Sequence, residues 1–541
     1  MDMIPTVVAL TSVLWIFWTY LRHRKVNSIL KNLPGPEPES FWKGNVGQYI
    51  DRLGGKFQRH IALDYGLVVR LHGLAGMPLL YVADPRALHH MLIKEESTFE
   101  ETKIFLKTNA TVFGPSLVST VGEHHQKQKK SLSPAFTVNH MREMLPIFYT
   151  VAHKLRDAIA TRVRDGQHEI DILGWTGRAA LELIGQGGLG YSFDPLTNDK
   201  RDAYAEAVKA FLPVLQETSV FRPLLPYVSG VGPAWLQRYI MDRFPSKWVR
   251  EVKAIVDTMT ERSKEIYNQK KDALVHGDKA MVQQVGEGRD VMSILLKENM
   301  LASDKDKLPE DELIAQMSTL IIGALDSTSS MLSRILLLLA EHPDMQEKLR
   351  AEVLAAHAAD SIPYDVLNSL PVLDAVCRET LRLYPPATYL TRVPNKDVVL
   401  PLLEPVCGKD GKLIREIPVT AGMEIIIGVL GCNANKVLWG EDALEWKPER
   451  WLSPLPTSVT EARIPGVYSN LMTFLGGKRG CLGFKFSEME MKIVLSVLLS
   501  TFKFALTDKD IFWNVAIVWY PTVGQDTIKA QMPLKVELLS R

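Results

Sequence analysis

The chain has 541 residues, long enough for one very large domain or for several ordinary ones. Its 63 basic and 62 acidic residues give a net charge of +1, which argues against bulk attraction to nucleic acid. The four cysteines form no CxxC pair, which argues against a disulfide scaffold and against a zinc site of the usual paired spacing. We therefore expect a globular protein of a reducing compartment.

The N-terminal segment is an uncharged apolar run, Ile4–Leu21, followed at once by the basic stretch Arg-His-Arg-Lys at 22–25. As a helix this run would be about 27 Å long, close to the thickness of a bilayer's hydrocarbon core. Only Asp2 precedes it, whereas a cleaved signal peptide carries positive charges before its apolar run. The pattern predicts a transmembrane anchor over residues 1–21, with the remaining chain cytoplasmic. A buried core helix is the alternative.

A proline-rich segment, LPGPEPES, covers Leu33–Ser40. Because proline fixes φ and removes backbone donors, we expect this segment to be a stiff, extended spacer. It would form part of a basic and proline-rich linker over residues 22–40. Residues 41–541 show no internal repeat and no second linker, so we expect them to form one large domain.

Within this domain the pattern is mainly helical, with short strands near both ends. Helical periodicity dominates from residue 140 to residue 390. Short apolar runs rich in β-branched residues predict the strands. They are VVRLHG at 68–73, PLLYVAD at 78–84, DVVLPL at 397–402 and EIIIGV at 424–429. The predicted fold class is therefore mainly α with a small β-sheet region.

Two helices can be placed closely. The first is predicted over Glu310–Glu341, since a proline precedes it and a His-Pro pair follows it. Its middle is apolar nearly all round, so we expect it to cross the interior of the domain. There it contains GALDSTSS, residues 323–330, which is weak helix-forming material. The second helix is predicted over Asp374–Pro386.

The second predicted helix carries a candidate ion pair. Glu379 and Arg382 are three residues apart and share one helix face. In the segment WKPERW, Arg450 follows a proline and could reach the same carboxylate from outside the helix. Taken alone, such a pair is most often a solvated surface ion pair.

The segment FLGGKRGCLGF, residues 474–484, places Cys481 among four glycines. Glycine removes side-chain bulk, so the backbone can approach a large flat ligand. The neighbouring Arg479 is expected to favour the thiolate, which is the form that binds metals. A structural loop with a buried cysteine is the alternative.

The order of these motifs resembles that of the cytochrome P450 haem-thiolate monooxygenases. The motifs are E-x-x-R at Glu379–Arg382, K-P-E-R-W with Arg450, and F-x-x-G-x-R-x-C-x-G at Phe474–Gly483. The resemblance covers essentially the whole chain and is strongest to fungal members. It implies the cytochrome P450 fold, with a single catalytic domain behind a membrane anchor.

The resemblance also implies the cofactor, haem b (iron protoporphyrin IX), with Cys481 as the axial thiolate ligand of the metal. Phe474 would pack near this ligand, and Gly477 and Gly483 would allow close approach to the haem. The implied propionate partners are Arg392, Arg479, and the pair His125 and Lys129, which stands where many members have W-x-x-x-R. Glu379, Arg382 and Arg450 would form a structural triad that braces the proximal side.

The first long helix matches the helix over the distal haem face, where the family pattern is A/G-G-x-D/E-T-T/S. This chain has Ala324 in place of the second glycine, which predicts a tighter pocket, and Ser327 in place of the threonine. Asp326 would relay protons and Ser327 would donate to dioxygen, with the serine hydroxyl bonding the carbonyl of Gly323. Thr328 is the alternative hydroxyl, and an ion pair with an arginine is the alternative role of Asp326.

The function implied is a membrane-anchored monooxygenase of secondary metabolism in the endoplasmic reticulum, single-pass, with its catalytic domain in the cytosol. Electrons would come from NADPH through NADPH-cytochrome P450 reductase, with cytochrome b5 as a further donor. A basic patch of Lys127, Lys129, Lys130 and Lys478 would suit an acidic donor. The alternatives are a haem-thiolate peroxide isomerase or dehydratase, and a non-catalytic haem carrier.

The substrate class is predicted from three segments that vary within the family and determine substrate specificity. They are the stretch around Phe113–Leu117, the region 210–240 and the turn near Trp519–Val523. All three are apolar, so we expect a lipophilic small molecule and no nucleic acid partner.

Overall fold

The computed structural model describes residues 29–194, 196, 203–229, 233–276, 288–357 and 361–539. The predicted transmembrane anchor, residues 1–21, lies outside the described residues, as does the beginning of the linker, residues 22–28.

The strands of the described chain form small sheets. They are β1 (Val68–His72), β2 (Pro78–Val82), β3 (Phe99–Glu100), β4 (Glu169–Asp171), β5 (Tyr389–Pro394), β6 (Val398–Cys407), β7 (Leu413–Val419), β8 (Glu424–Gly428), β9 (Phe502–Ala505), β10 (Ile511–Asn514), β11 (Tyr520–Val523) and β12 (Pro533–Leu538). The five-stranded sheet has the order β1-β2-β8-β5-β3, and the others pair β6-β7, β4-β12-β9 and β10-β11. The predicted strands are thus confirmed, and early and late segments share one sheet.

Helices make up most of the remaining structure. The longer ones are α1 (Gly55–Leu63), α2 (Lys103–Phe113), α3 (Gly122–Leu132), α4 (Val138–Arg164), α5 (Ile172–Leu183), α6 (Ala203–Glu217), α7 (Ala234–Asp242), α8 (Lys247–His276), α9 (Val291–Leu301), α10 (Glu310–Glu341), α11 (Pro343–Ala355), α12 (Pro371–Leu383) and α13 (Phe484–Leu499). Shorter α-helices are Val46–Ile50, Pro85–His89, Leu225–Val228, Tyr364–Ser369, Val429–Asn433, Lys436–Trp439 and Thr457–Glu461.

Contacts within the chain divide it into two compact units, each assembled from separate segments. The sheet unit consists of the described parts of 1–102, 388–444 and 456–480, and it contains β1–β3 and β5–β8. The helical unit consists of the described parts of 103–387, 445–455 and 481–541.

In the sheet unit, β2 and β8 run parallel in the middle of the five-stranded sheet. Both are nearly continuous apolar runs, as expected for strands covered on both faces. Strand β5 pairs with β8 on one side and with β3 on the other, with Glu100 opposite Val393. This register brings the end of β3 beside the middle of β5.

The described part of the linker is held against the sheet unit. The amide of Arg70 in β1 donates to Pro34 O at 2.9 Å, and Asn45 Nδ2 donates to Glu37 O at 2.9 Å. The segment 34–38 is neither helix nor strand, and residues 29–32 before it are helical. The carbonyls of Pro34 and Glu37 accept these hydrogen bonds, so this part of the linker is attached to the sheet unit rather than standing free as a spacer.

Helix α10 begins and ends where the sequence predicted, with Pro309 before it and the amide of His342 bonded to Leu338 O at 2.9 Å. Most of its residues are buried, so it is a core helix of the helical unit, although it is long and apolar enough to cross a membrane. Thr176 Oγ1 of α5 lies 3.1 Å from Ser333 Oγ, which ties the two helices together by a buried polar contact.

Helix α12 was predicted to begin and end three residues later than it does. It begins at Pro371, because proline suits the first helical turn, and it ends at Leu383. The amide of Tyr384 still bonds to Thr380 O at 2.9 Å, before the proline pair. The predicted pair Glu379 and Arg382 lies inside the helix.

Candidate functional site

Asp326 lies in the middle of α10 and is half-buried. Its Oδ2 atom is buried and has no hydrogen-bond partner among the residues that the structure describes. Burial raises the pKa of Asp326 to about 7, and the positive charge of Lys209 acts in the opposite direction. The alternative role of Asp326, an ion pair with an arginine, is not formed within the described ranges. The carboxyl group of Asp326 is able to hold a proton near neutral pH.

Ser327 Oγ donates to Gly323 O at 2.7 Å, which confirms the predicted bond to the carbonyl four residues back. The helix remains continuous through this point. Gly323 is exposed within an otherwise largely buried helix, and a Cβ built there would meet no heavy atom within 4 Å. One open face of α10 therefore carries Gly323, the half-buried Ala324 and Ser327.

Thr328 points to a different side of α10 from Ser327. It is buried, and its Oγ1 atom lies 3.4 Å from Ser487 Oγ of α13. The two candidate hydroxyls are thus separated by packing, since Ser327 belongs to the open face and Thr328 to the contact between helices α10 and α13. This placement favours Ser327 as the group that meets a ligand.

The structure adds a residue that the sequence analysis missed, Glu490 of α13. It is fully buried, and neither carboxyl oxygen has a hydrogen-bond partner of ordinary geometry in the described part of the chain. Burial raises the pKa of Glu490 well above its usual range, while the nearby Thr328 hydroxyl acts in the opposite direction. The available signal was an acidic residue among apolar ones, but Glu488 lies in the same helix, and which of the two is buried without an ion-pair partner is a tertiary property.

The carboxylate of Glu379 is fully enclosed by donors. Arg382 contacts it through Nε (2.9 Å) and Nη2 (2.8 Å), and Arg450 Nε lies 3.0 Å away. The amide of Lys447 (3.0 Å) and Trp451 Nε1 (2.9 Å) complete the set. Burial by itself would raise the pKa of Glu379, but the Arg382 guanidinium and its neighbours hold it below the usual range. The predicted triad therefore forms, with Trp451 as an additional donor.

Cys481 is an exposed, unbridged cysteine just before α13. Desolvation by the protein around its sulfur nevertheless raises the pKa of Cys481, while the backbone N–H of Gly483 and the charge of Lys129 act in the opposite direction. The direction of this shift is opposite to the one expected from the neighbouring arginine. Coordination to haem iron would supply the missing stabilisation, because a coordinated thiol is deprotonated outright.

The glycines around Cys481 differ in what they permit. Gly477 has φ +71°, and a Cβ there would lie 2.2 Å from Leu92 O, so the sheet unit itself requires glycine at this position. At Gly483 a Cβ would make only an ordinary contact, 3.8 Å from Phe136. Protein packing thus accounts for Gly477, whereas it leaves room for a side chain at position 483.

Phe474 belongs to the sheet unit, where its ring packs edge-on against Tyr468 with the centroids 5.5 Å apart. The same unit holds both predicted propionate arginines. Arg392 Nη2 lies 3.4 Å from one carboxyl oxygen of Glu101, and Arg479 Nη2 lies 3.0 Å from the other. The structure therefore brings the two arginines together around one acidic residue.

His125 and Lys129 lie one turn apart on α3 of the helical unit, His125 buried and Lys129 half-buried. The charge of Lys129 is close enough to lower the pKa of Cys481. Lys127, by contrast, donates to the carbonyls of Lys305 and Lys307 at 2.8 Å each. Lys127 keeps its charge in these contacts, and the basic patch stays a prediction.

A cysteine suited to metal coordination, a buried carboxylate saturated by two arginines, and an acid beside a hydroxyl on a long core helix together define a haem-thiolate protein. A sequence model of the Cytochrome P450 family matches residues 34–518. The chain belongs to the cytochrome P450 family, and it is a monooxygenase of that family.

Fungal relatives resemble the chain over its whole length. It is 56% identical over 540 residues to Cytochrome P450 monooxygenase 81 of Postia placenta, covering 100% of this chain and 99% of the relative. It is 46% identical over 539 residues to Ganoderic acid synthetase CYP5150L8 of Ganoderma lucidum, with 98% of each chain covered. The expected likeness to fungal members is thereby confirmed.

Members of the family bind haem through an axial cysteine thiolate, and the residues present fit that group. Cys481 offers an exposed sulfur, the soft ligand that haem iron accepts in this class. Arg392 and Arg479 are cations that can pair with carboxylates such as haem propionates. Bound haem supplies the activation of dioxygen, and the protein residues supply binding, orientation and protons.

Proposed function

We propose that the chain inserts one oxygen atom of dioxygen into a lipophilic small molecule, with two electrons from NADPH delivered by NADPH-cytochrome P450 reductase. The overall reaction converts the substrate, dioxygen, NADPH and a proton into hydroxylated product, water and NADP⁺. Reduction of the second oxygen atom to water consumes protons, so the site needs a proton-holding group close to the reacting face.

The single observation that carries this proposal is the pair of Asp326 and Ser327 on α10. Asp326 Oδ2 has no partner in the described residues, and its pKa of about 7 lets it take and release a proton at neutral pH. Ser327 Oγ donates to Gly323 O, and its lone pairs are available to accept from the open face. To donate in turn, the hydroxyl must rotate away from Gly323. A peroxide isomerase or a haem carrier has no need of this pair.

Contacts among the predicted specificity segments support a lipophilic substrate. The ring of Phe113 packs against Phe211 with the centroids 5.7 Å apart. The amide of Leu117 donates to Gln316 of α10 at 3.1 Å, and Ser330 of α10 donates to Trp519 O at 2.7 Å. The apolar segments are thus attached to the helix that carries the acid and the hydroxyl, and a relative is named for ganoderic acid synthesis.

The proposed membrane anchor and electron donors are inferred from the sequence. The uncharged run Ile4–Leu21 is long enough to span a bilayer and precedes a basic stretch. We propose an anchor in the endoplasmic reticulum membrane with the catalytic domain cytosolic, cytochrome b5 serving as a further electron donor. Lys130 is exposed on α3 and remains a candidate contact for an acidic donor surface.

The test uses the full chain in lipid nanodiscs with a panel of lipophilic compounds. Substrates are first selected by displacement of water from the ferric haem, seen as a blue shift of the Soret band. Product is then measured with reductase and NADPH, with peroxide alone, and with neither. Product only in the first arm supports the proposal, whereas conversion of a peroxide substrate without reductase establishes the isomerase or dehydratase alternative.

The ligand assignment is tested in the same preparation by Cys481→Ser. We expect the long-wavelength Soret band of the reduced carbon monoxide complex to disappear, because a serine oxygen does not supply the thiolate's electron density. Cys407→Ser, which changes another exposed cysteine, should leave the band in place. Survival of the band in Cys481→Ser would show that the ligand is misassigned.

A further inference from the structure

Glu101 of the sheet unit contacts both arginines that are expected to bind the haem propionates. Its Oε1 atom lies 3.4 Å from Arg392 Nη2, and its Oε2 atom lies 3.0 Å from Arg479 Nη2. The Glu101 side chain is 7% exposed, that of Arg392 is 5% exposed, and that of Arg479 is 17% exposed. The three charges are therefore largely removed from solvent. The electrostatic interactions between them are consequently only weakly screened.

The backbone around Glu101 and Arg392 is rigid. Glu101 directly follows β3, whose Glu100 pairs with Val393 of β5. Arg392 lies on β5 opposite Ile425 of β8, and its Nη1 atom donates to Thr391 O at 2.8 Å. Two paired strands thus present the carboxylate and the first guanidinium to each other.

Arg479 is presented by a tight turn of the same unit. Gly477 begins this turn with φ +71°, against the carbonyl of Leu92. The amide of Lys478 donates to the carboxylate of Glu96, which fixes the turn one residue before Arg479. Along the chain, Arg479 is two residues before Cys481, so its Cα lies at most about 7.6 Å from that of the axial ligand.

The charges in this cluster do not cancel. Among the three paired side chains, one carboxylate faces two guanidiniums, so they carry a formal charge of +1 instead of the +2 of the arginines alone. Glu96 attracts both arginines and Glu100 attracts Arg479 without forming an ion pair with them. Two like charges this close repel each other, and the shared carboxylate compensates for that repulsion. A net positive cluster can still attract propionates.

We propose that Glu101 is a positioning residue for the haem: it holds Arg392 and Arg479 side by side for the propionates and keeps the ferric form of the haem favoured over the ferrous form. The inference rests on the two arginines being propionate partners. Electrons entering the haem add negative charge, so a fixed carboxylate close to the propionate edge opposes reduction.

The test compares full-length Glu101→Gln with Glu100→Gln in nanodiscs. Both substitutions remove one negative charge at neighbouring positions. Glu100 is exposed and attracts Arg479 only without direct contact, whereas Glu101 forms an ion pair with each arginine. The midpoint potential of the ferric/ferrous couple is measured by spectroelectrochemistry without substrate, and haem loss is measured by transfer to apomyoglobin. Neither readout depends on monooxygenase turnover, so the result is independent of the proposed substrate and donor.

We expect Glu101→Gln to move the midpoint to a more positive potential than Glu100→Gln does, and to accelerate haem loss several-fold. Equal midpoints and equal haem loss in the two variants would overturn the proposal. If Glu101→Gln does not fold, Glu101→Asp is measured in its place. The shorter aspartate side chain keeps the negative charge but cannot reach both arginines. Faster haem loss from Glu101→Asp than from the wild type supports the positioning role, and an unchanged rate refutes it.

The premise has its own control in Arg392→Gln. If the arginines bind the propionates, this variant loses haem faster than the wild type. Unchanged haem retention in Arg392→Gln would remove the basis of the inference while leaving the monooxygenase assignment intact.

Discussion

Two carboxylates of the helical unit show how differently the same group can be used. Glu379 is fully buried and accepts hydrogen bonds from two arginines, a tryptophan and a backbone amide. Asp326 has one oxygen buried without a partner in the described residues. The pKa of Glu379 is held below its usual range, whereas burial raises that of Asp326 to about 7.

The difference separates a structural carboxylate from one suited to proton transfer. A group whose charge is fully paired stays ionised and holds its neighbours in place. A group that lacks such partners changes protonation near neutral pH, which is the property that a proton relay requires. Each carboxylate therefore predicts a different response to substitution and to pH.

The largest effect is expected from Glu379→Ala. Breaking a buried, hydrogen-bonded ion pair leaves uncompensated guanidinium charges, which typically costs about 3–5 kcal/mol of unfolding free energy. We expect thermal unfolding at a markedly lower temperature and reduced haem content in the purified protein. The matched control is Glu449→Ala in the turn that carries Arg450, where the pair with Lys348 at 3.8 Å is exposed and should contribute less than ~1 kcal/mol. Similar losses in the two variants would contradict the structural role of Glu379.

The pH dependence sharpens this prediction. Because the pKa of Glu379 is lower in the folded than in the unfolded protein, its stabilising contribution is present above the unfolded pKa and is lost as the pH falls through the folded pKa. The penalty of Glu379→Ala should therefore shrink in acid. A penalty that grows on acidification would show that the carboxylate is not held in its ionised form.

Asp326→Asn is expected to lower turnover by a factor of about 10²–10⁴, the usual contribution of a positioned acid–base group. In contrast to turnover, folding stability is expected to benefit from this substitution as the pH rises. The folded pKa of Asp326 is raised to about 7, so the wild type is most stable in acid and loses stability as the pH rises through that value. Melting temperatures at several pH values should show the variant gaining on the wild type from acid to neutral pH. A constant difference would contradict the assigned pKa.

Ser327→Ala should have a smaller effect on the rate and a specific effect on coupling. We expect the Soret band of the reduced carbon monoxide complex to be unchanged, because the axial ligand is intact. More of the NADPH consumed should appear as hydrogen peroxide, since the hydroxyl that handles protons on the open face is missing. Thr328→Val is the control, because Thr328 is buried between α10 and α13. Unchanged coupling in Ser327→Ala with uncoupling in Thr328→Val would reverse the assignment.

The smallest effect is expected from Glu490→Gln at neutral pH. Burial raises the pKa of Glu490 well above its usual range, so the wild-type group is protonated and glutamine is a near-isosteric replacement. We expect a change in unfolding free energy below ~1 kcal/mol at pH 7, with the variant becoming the more stable one in alkali. A large loss of stability at pH 7 would show that Glu490 is ionised, as Glu379 is.

Several features of the fold were predictable from local signals. Helix α10 was placed to the residue, because proline, the acidic first turn and the His-Pro pair mark its ends. Three strands of the main sheet, β1, β2 and β8, were recognisable as apolar, β-branched runs, whereas β3 and β5 were not predicted. The bond from Ser327 to Gly323 follows from helix geometry alone, so it too could be predicted.

Other features escaped prediction because they depend on which surfaces meet. The raised pKa of Cys481 reflects desolvation by protein around the sulfur, although sequence proximity to Arg479 suggested the opposite direction. The hydrogen bonds from Lys127 to the carbonyls of Lys305 and Lys307 were not predicted. The close approach of the Leu92 carbonyl to Gly477 was not predicted either. Each outcome is decided by residues distant in sequence.

The sequence alone identified the family and the members of the Glu-Arg-Arg cluster, and it predicts the axial cysteine, because each is recognised from residue types at short, ordered spacings. Only the tertiary structure decided the protonation of each buried acid and the partners of Glu101. Charge on a buried group depends on desolvation and on donors supplied by other segments, and neither quantity is encoded in local spacing. Glutamate thus serves as a structural ion-pair partner at Glu379 and as the shared counter-ion of two arginines at Glu101.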